Sequence, residues 1–232
     1  MQNCPGSDDP NLIDLHRFFL VDRTTQDLIR TWFRRAEPPP SPGNQVAEDR
    51  WLEPEQRFEG FIYAWIAFNG WAMTVCDVDG DEASVNLVGS SPDLQHRFLA
   101  LLDRDPEFRG AAERFQALWP IFSDKDIRRS GVLEEIPRGT SRPERIPIYL
   151  AFQYRDERGR GHQIGFRPRC AGDHGIGAKI PLDWAHSLSA IYQVRCNLFH
   201  GYKGIRVRDD RDIVAAAYNV LHATMRGVLG FE

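Results

Sequence analysis

The chain has 232 residues, 42% hydrophobic and 27% charged, with a formal net charge of −4. That length suits one sizeable domain with a real core, and the ordinary composition excludes collagenous, low-complexity and disulfide-scaffold classes. The acidic balance does not advertise nucleic-acid binding, and no apolar run reaches the length of a membrane span.

The opening MQNCPGSDDPNL has neither a basic segment nor an apolar one, so it does not read as a secretory signal, and a cytoplasmic protein is expected. Cys4, Cys76, Cys170 and Cys196 lie far apart, form no C-x-x-C pair and are expected to be reduced. Residues 11–36 read as helix with a break at Asp22–Thr25, where TTQD resembles a capping start. EPPPSPGNQ then reads as a stiff extended linker. The expected division is an N-terminal helical extension with its linker over 1–45 and a main helical domain over 46–232.

Residues 54–76, PEQRFEGFIYAWIAFNGWAMTVC, form an apolar helix opened by Pro54. Its apolar residues run almost all round, which places it centrally in a bundle. Asn69 is a polar residue in that run; if buried it needs a partner, and it either orients a site or bridges helices. DVDGDE reads as a turn. Shorter helices are expected around 92–103, 106–118 and 121–128. Residues 129–180 are richer in glycine, proline and arginine, and IPIYLAFQYRDERGRGHQIGFRP reads as two strands about a turn, a β-hairpin insertion. The arginines at 155, 158, 160, 167 and 169 make a local basic stretch, though only three basic residues in the whole chain are lysines, so a general arginine bias explains it as well. A last helix runs through DIVAAAYNVLHATMRGVLG, with Gly230 as its stop.

Several patterns fail. The glycine of DVDGDE falls at the wrong place for a calcium loop, and GDHGIGAK lacks the lysine and hydroxyl residue of a phosphate loop where they are needed. His162, His174, His186 and His222 have no cysteine or carboxylate at ligand spacing and read as surface or boundary residues. No metal site and no cofactor is expected.

The run YQVRCNLFHGYKG carries most of the functional information. On a helix over 182–199, Trp184, Leu188, Ile191, Arg195 and Leu198 follow one buried face. An arginine there needs a partner: either a carboxylate from another helix, such as Glu55 or Glu59, or an anion in a cleft. His200 follows five residues later, roughly 140° round and about 7.5 Å along, and Gly201 ends the helix.

YQVRCNLFHG resembles the R-x4-H signature of the HEPN superfamily (higher eukaryotes and prokaryotes nucleotide-binding domain). FEGFIYAWIAFNGW resembles its first core helix, and the final amphipathic helix sits where its last bundle helix follows. The resemblance covers roughly 50–128 and 180–230. It implies a mainly α, HEPN-like bundle, commonly a homodimer with two motifs across a cleft. Many members are metal-independent endoribonucleases of toxin–antitoxin, phage-defence or CRISPR-linked systems; others bind nucleotides, RNA or proteins without catalysis. The catalytic pair it implies is Arg195 and His200, acting on RNA. Family members often carry a polar residue after the arginine; here it is Cys196, which transfers polar support to Asn197. R-x4-H-x-Y also resembles toxins silenced by a minimal nucleotidyltransferase antitoxin that adenylylates the tyrosine, here Tyr202. Lys203 either helps to bind phosphate or faces solvent. Against both readings stands a purely structural Arg195 ion pair.

Overall fold

A computed structural model describes residues 13–37, 54–78, 80–172, 180–204 and 207–231. The N-terminal dodecapeptide, most of the proline-rich linker, and the glycine-rich run with His174 lie outside the described residues.

Among the described residues the protein is mainly α-helical. The elements are α1 (Arg17–Leu20), α2 (Arg23–Ala36), α3 (Pro54–Cys76), α4 (Asp81–Ser90), α5 (Pro92–Arg104), α6 (Pro106–Gln116), β1 (Ile121–Phe122), α7 (Asp124–Ser130), α8 (Val132–Glu135), α9 (Arg142–Ala151), β2 (Gln153–Arg155), β3 (Gly161–Gln163), β4 (Phe166–Arg167), α10 (Trp184–Phe199) and α11 (Arg208–Gly227). The helix starts follow local chemistry. Ser91 and Asp105 cap α5 and α6 by accepting from the amides of Leu94 and Phe108, and each is followed by a proline whose missing N–H costs nothing at that position. Asp183 caps α10 through the His186 amide at 2.9 Å. Asp22, two residues before TTQD, caps α2 through the Thr25 amide.

The apolar helix α3 is the centre of the bundle, packed against α1, α2, α4 and α11. Phe61, Ala64, Ala67, Phe68 and Ala72 have no exposure. Phe18, Ile29, Phe33 and Ala36 belong to the same cluster, so α1 and α2 are a layer of this bundle. The α10 helix lies against α4, α5, α11 and the β1–β4 ladder. Its Trp184 is fully buried and donates from Nε1 to the Val88 carbonyl at 2.8 Å.

Four features differ from the sequence expectation. The last two residues of DVDGDE, Asp81 and Glu82, are the first turn of a helix, α4. IPIYLA is helical, not a strand: it ends α9, which opens with a capping box between Ser141 and Glu144. The expected hairpin is shorter, β2 with β3, and Ile121–Phe122 pairs antiparallel with β4 instead of opening a helix. This region has a small core of its own, Phe122, Ile127, Val132, Tyr149 and Ile164, joined to the main one through Phe166.

His222 on α11 is not a surface histidine. Its ring stacks on Phe33 at 4.9 Å and Tyr218 at 5.3 Å, and its side chain is 12% exposed. Burial, with Arg226 nearby, pushes its pKa down to about 4, while Glu37 opposes the shift. The unfolded chain therefore takes up the proton first, and stability falls as pH drops from about 6.5 towards 4. The expected loss from this residue between pH 7 and pH 5 is about 2 kcal/mol. Urea unfolding at both pH values should show that increment in the wild type and not in His222→Phe, which keeps the stacking surface.

Candidate functional site

The end of α10 is built by a left-handed glycine cap. Gly201 has φ +72°, its amide donates to Leu198 O at 3.0 Å, and the Tyr202 amide donates to Asn197 O at 3.0 Å. His200 is the C-cap, and its side chain is left in the exposed shell. Tyr202 is half-buried. Its ring centre lies 6.1 Å from that of His200 and 5.2 Å from the Arg128 guanidinium of α7.

Arg195 has a partner, but not Glu55 or Glu59. It donates from Nη2 to Asp81 Oδ2 in the first turn of α4. An acidic residue is favoured at a helix N-terminus, so Asp81 is stabilised from two directions. Asn69 of α3 donates to the other carboxylate oxygen at 3.0 Å. The two roles considered for Asn69 thus coincide: it bridges α3 to α4, and it fixes the carboxylate that fixes Arg195. The guanidinium lies 5.0 Å from the exposed Phe199 ring, 5.8 Å from Trp65 and 5.9 Å from Tyr192, and its Nε is buried without a hydrogen-bond partner. The pair is 21% and 25% exposed, between the free surface and the deep interior. A double-mutant cycle of Arg195→Ala and Asp81→Ala in urea is expected to give a coupling of about 1–2 kcal/mol, between the values typical of exposed and buried pairs.

Asn197 does not face a cleft. It is 2% exposed; its amide donates to Phe122 O at 2.8 Å, and its carbonyl accepts from the Asp124 amide at 3.1 Å and from Gln193 Nε2 at 3.1 Å. It ties β1 and the start of α7 to α10, and its burial keeps it out of reach of a substrate. Lys203 neither faces solvent nor offers a free charge. Its side chain is 6% exposed, with Nζ 2.8 Å from Asp210 and 2.9 Å from Asp124. Asp210 also accepts from the Gly204 amide at 2.9 Å. Burial raises the pKa of Asp124 despite the opposing charge of Lys203.

Beside Lys203 lies a cavity of about 110 Å³ between α7, α9 and the start of α11. Two arginines that the sequence reading had not singled out, Arg142 and Arg145, line it. Arg142 donates to the carbonyls of Pro120, at 3.0 Å, and Leu118; burial lowers its pKa. Arg145 pairs with Asp209 at 2.6 Å, and its Nε is buried without a partner. The one readable sign of them was S-x-x-E at Ser141–Glu144, which marks a helix start just ahead of both.

Two arginines of the basic stretch, Arg160 and Arg167, are held in ion pairs. Asp156 accepts from Arg160 and lies 3.0 Å from His162, which lower its pKa to about 2 together with the amides of Arg158 and Arg160. Arg167 pairs with Glu82 and lies 5.0 Å from the Tyr192 ring. Burial pushes the Tyr192 hydroxyl up to about 12, with Cys196 adding to the shift. Among the described residues no group of three or more His, Cys, Asp or Glu is placed to hold a metal ion, and no single helix is long and apolar enough to cross a membrane. Compared with protein-family models, curated proteins and solved structures, the chain gives no match.

Proposed function

We propose that this protein is a HEPN-type, metal-independent endoribonuclease, a cytoplasmic toxin or phage-defence effector that works as a homodimer. The observation that carries this reading is the end of α10: an exposed histidine held by a rigid cap, preceded five residues earlier by a partly buried arginine. RNA supplies its own nucleophile in the 2′-hydroxyl. His200 takes the 2′ proton as the oxygen attacks phosphorus, since histidine exchanges protons around neutral pH. Arg195, aimed by Asp81, offsets charge on the non-bridging oxygens as the phosphorane forms. The bond to the 5′-oxygen then breaks, and that oxygen takes its proton from His200 of a second copy across a two-fold axis. The products are a 2′,3′-cyclic phosphate and a 5′-hydroxyl. Adenylylation of Tyr202 by an antitoxin would put bulk and charge beside His200.

The second reading is a non-catalytic module that binds RNA, nucleotides or protein. Two observations favour it: Asp81 already engages Arg195, and Cys196 stands where the family carries a polar residue. Incubating the purified chain with total RNA in EDTA, then analysing the fragment ends, separates the two. Cyclic-phosphate ends support the nuclease; intact RNA beside a folded dimer supports the binding module.

A further inference from the structure

The cavity beside Lys203 has a chemistry that the proposed cleavage does not use. At about 110 Å³ it has room for about four waters and, being open on one side, admits the edge of one heterocycle. One side is apolar and aromatic, with Phe122, Ile127 and Ile213; Tyr149 brings a ring with a hydroxyl. The other side presents unspent donors and an acceptor together. Arg142 has no carboxylate within ion-pairing distance among the described residues, and it bonds through one nitrogen only, Nη2, to two backbone carbonyls. Arg145 Nε is buried and unpartnered. Asp209 meets Arg145 through Oδ2, leaving Oδ1. The remaining charges are already matched, Lys203 lying between Asp124 and Asp210.

An inorganic anion would satisfy the arginines but would sit against Asp209 and gain nothing from the aromatic wall. A base that carries both acceptors and donors fits all of it. Guanine presents O6 and N7 as acceptors, which suit a guanidinium, and N1–H and N2–H₂ as donors, which suit a carboxylate. Adenine reverses the polarity at position 6. Single-stranded RNA is read in this way, by splaying a base onto an aromatic ring and bonding its edge. Lys203, on the cavity wall, is three residues beyond His200. We propose that this cavity is a guanine-binding subsite that seats one unstacked base of the RNA, with Arg142 and Arg145 on its acceptor edge, Asp209 on its donor edge and Tyr149 against its face. The inference rests on the ribonuclease reading for its substrate, but its test does not require cleavage.

Calorimetric titration of the wild-type protein and His200→Ala with guanosine 5′-monophosphate should show binding by both. Adenosine 5′-monophosphate should bind at least about tenfold more weakly. Val207, 51% exposed on the cavity wall, can be changed without touching the core; Val207→Trp fills the space and should abolish binding while circular dichroism stays unchanged. Asp209→Asn should reduce guanosine affinity about tenfold and leave the fold intact. Equal affinity for both nucleotides, binding that survives Val207→Trp, or no binding at millimolar nucleotide would overturn the subsite. Guanosine binding together with intact RNA would sustain the subsite and remove the nuclease. Cleaved RNA with no guanosine binding would do the reverse.

Discussion

Substituting His200 by alanine is expected to lower RNA cleavage by about 10²–10⁴-fold, the range lost when a positioned proton-transfer group is removed. The fold should not respond. His200 is exposed, its side chain closes no core contact, and the cap that ends α10 is made by backbone groups of Asn197, Leu198, Gly201 and Tyr202. Thermal unfolding should therefore shift by no more than a surface substitution causes, within about 0.5 kcal/mol. Arg195→Ala differs in kind. It removes a group from the proposed cleft and also leaves Asp81 and the Trp65 ring without their cation, so activity and stability should fall together. Arg195→Lys should restore part of the stability and little of the cleavage, because an ammonium keeps the charge but not the planar fork. Equal cleavage by wild type and His200→Ala, from protein freed of contaminating nuclease, would remove His200 from the chemistry.

The largest loss of stability is expected at Asn197. Its side chain makes three buried hydrogen bonds that span α10, β1 and α7. Alanine leaves the Phe122 carbonyl, the Asp124 amide and Gln193 Nε2 unpaired, at about 1–3 kcal/mol for each group that water cannot reach. A total on the order of 3–4 kcal/mol follows, since rearrangement lets part of the set find other partners. Asn197→Asp should be no milder at neutral pH: it keeps the acceptor for Asp124 and Gln193 but buries a carboxylate and faces the Phe122 carbonyl with an oxygen. Urea midpoints of both variants should lie well below that of the wild type. If Asn197→Ala were near neutral in stability and reduced only RNA affinity, the residue would belong to a binding surface after all.

How much was legible in the sequence depended on how local each cause is. Residues 54–76 were readable to the residue, because a long, mostly apolar run opened by proline leaves a helix little alternative. The last two helices were readable from their apolar stripes, although α11 begins at Arg208, ahead of the expected DIVAAAY, and ends at Gly227 and not at Gly230. The α4 helix was hidden: it is ten residues long, has glycine and serine at its end, and follows acidic turn residues. The α9 helix was misread because Ile146, Ile148, Tyr149 and Leu150 look like a strand and Pro147 breaks the helical pattern, while its start signal lies upstream at Ser141. Tertiary context then overrode propensity. The need of Arg195 for a partner was legible from its place on the apolar stripe; the partner was not, since Asp81 stands 114 positions away on the helix that went unread. Lys203 and Asn197 show the converse. Their residue types suggested substrate contact, and only the neighbouring chain segments, 120–124 and 210, decide that they are spent on the fold.

The two residues that flank the His200 turn have a joint effect. Asn197 is fastened to β1 and α7 before the turn, and Lys203 is fastened to α7 and α11 after it, so the intervening five residues are a short bridge anchored at both piers. A free loop residue surrenders about 1–2 kcal/mol of backbone entropy when it is ordered. At His200 that cost is already met on folding, and a molecule docking there has only the imidazole torsions left to freeze.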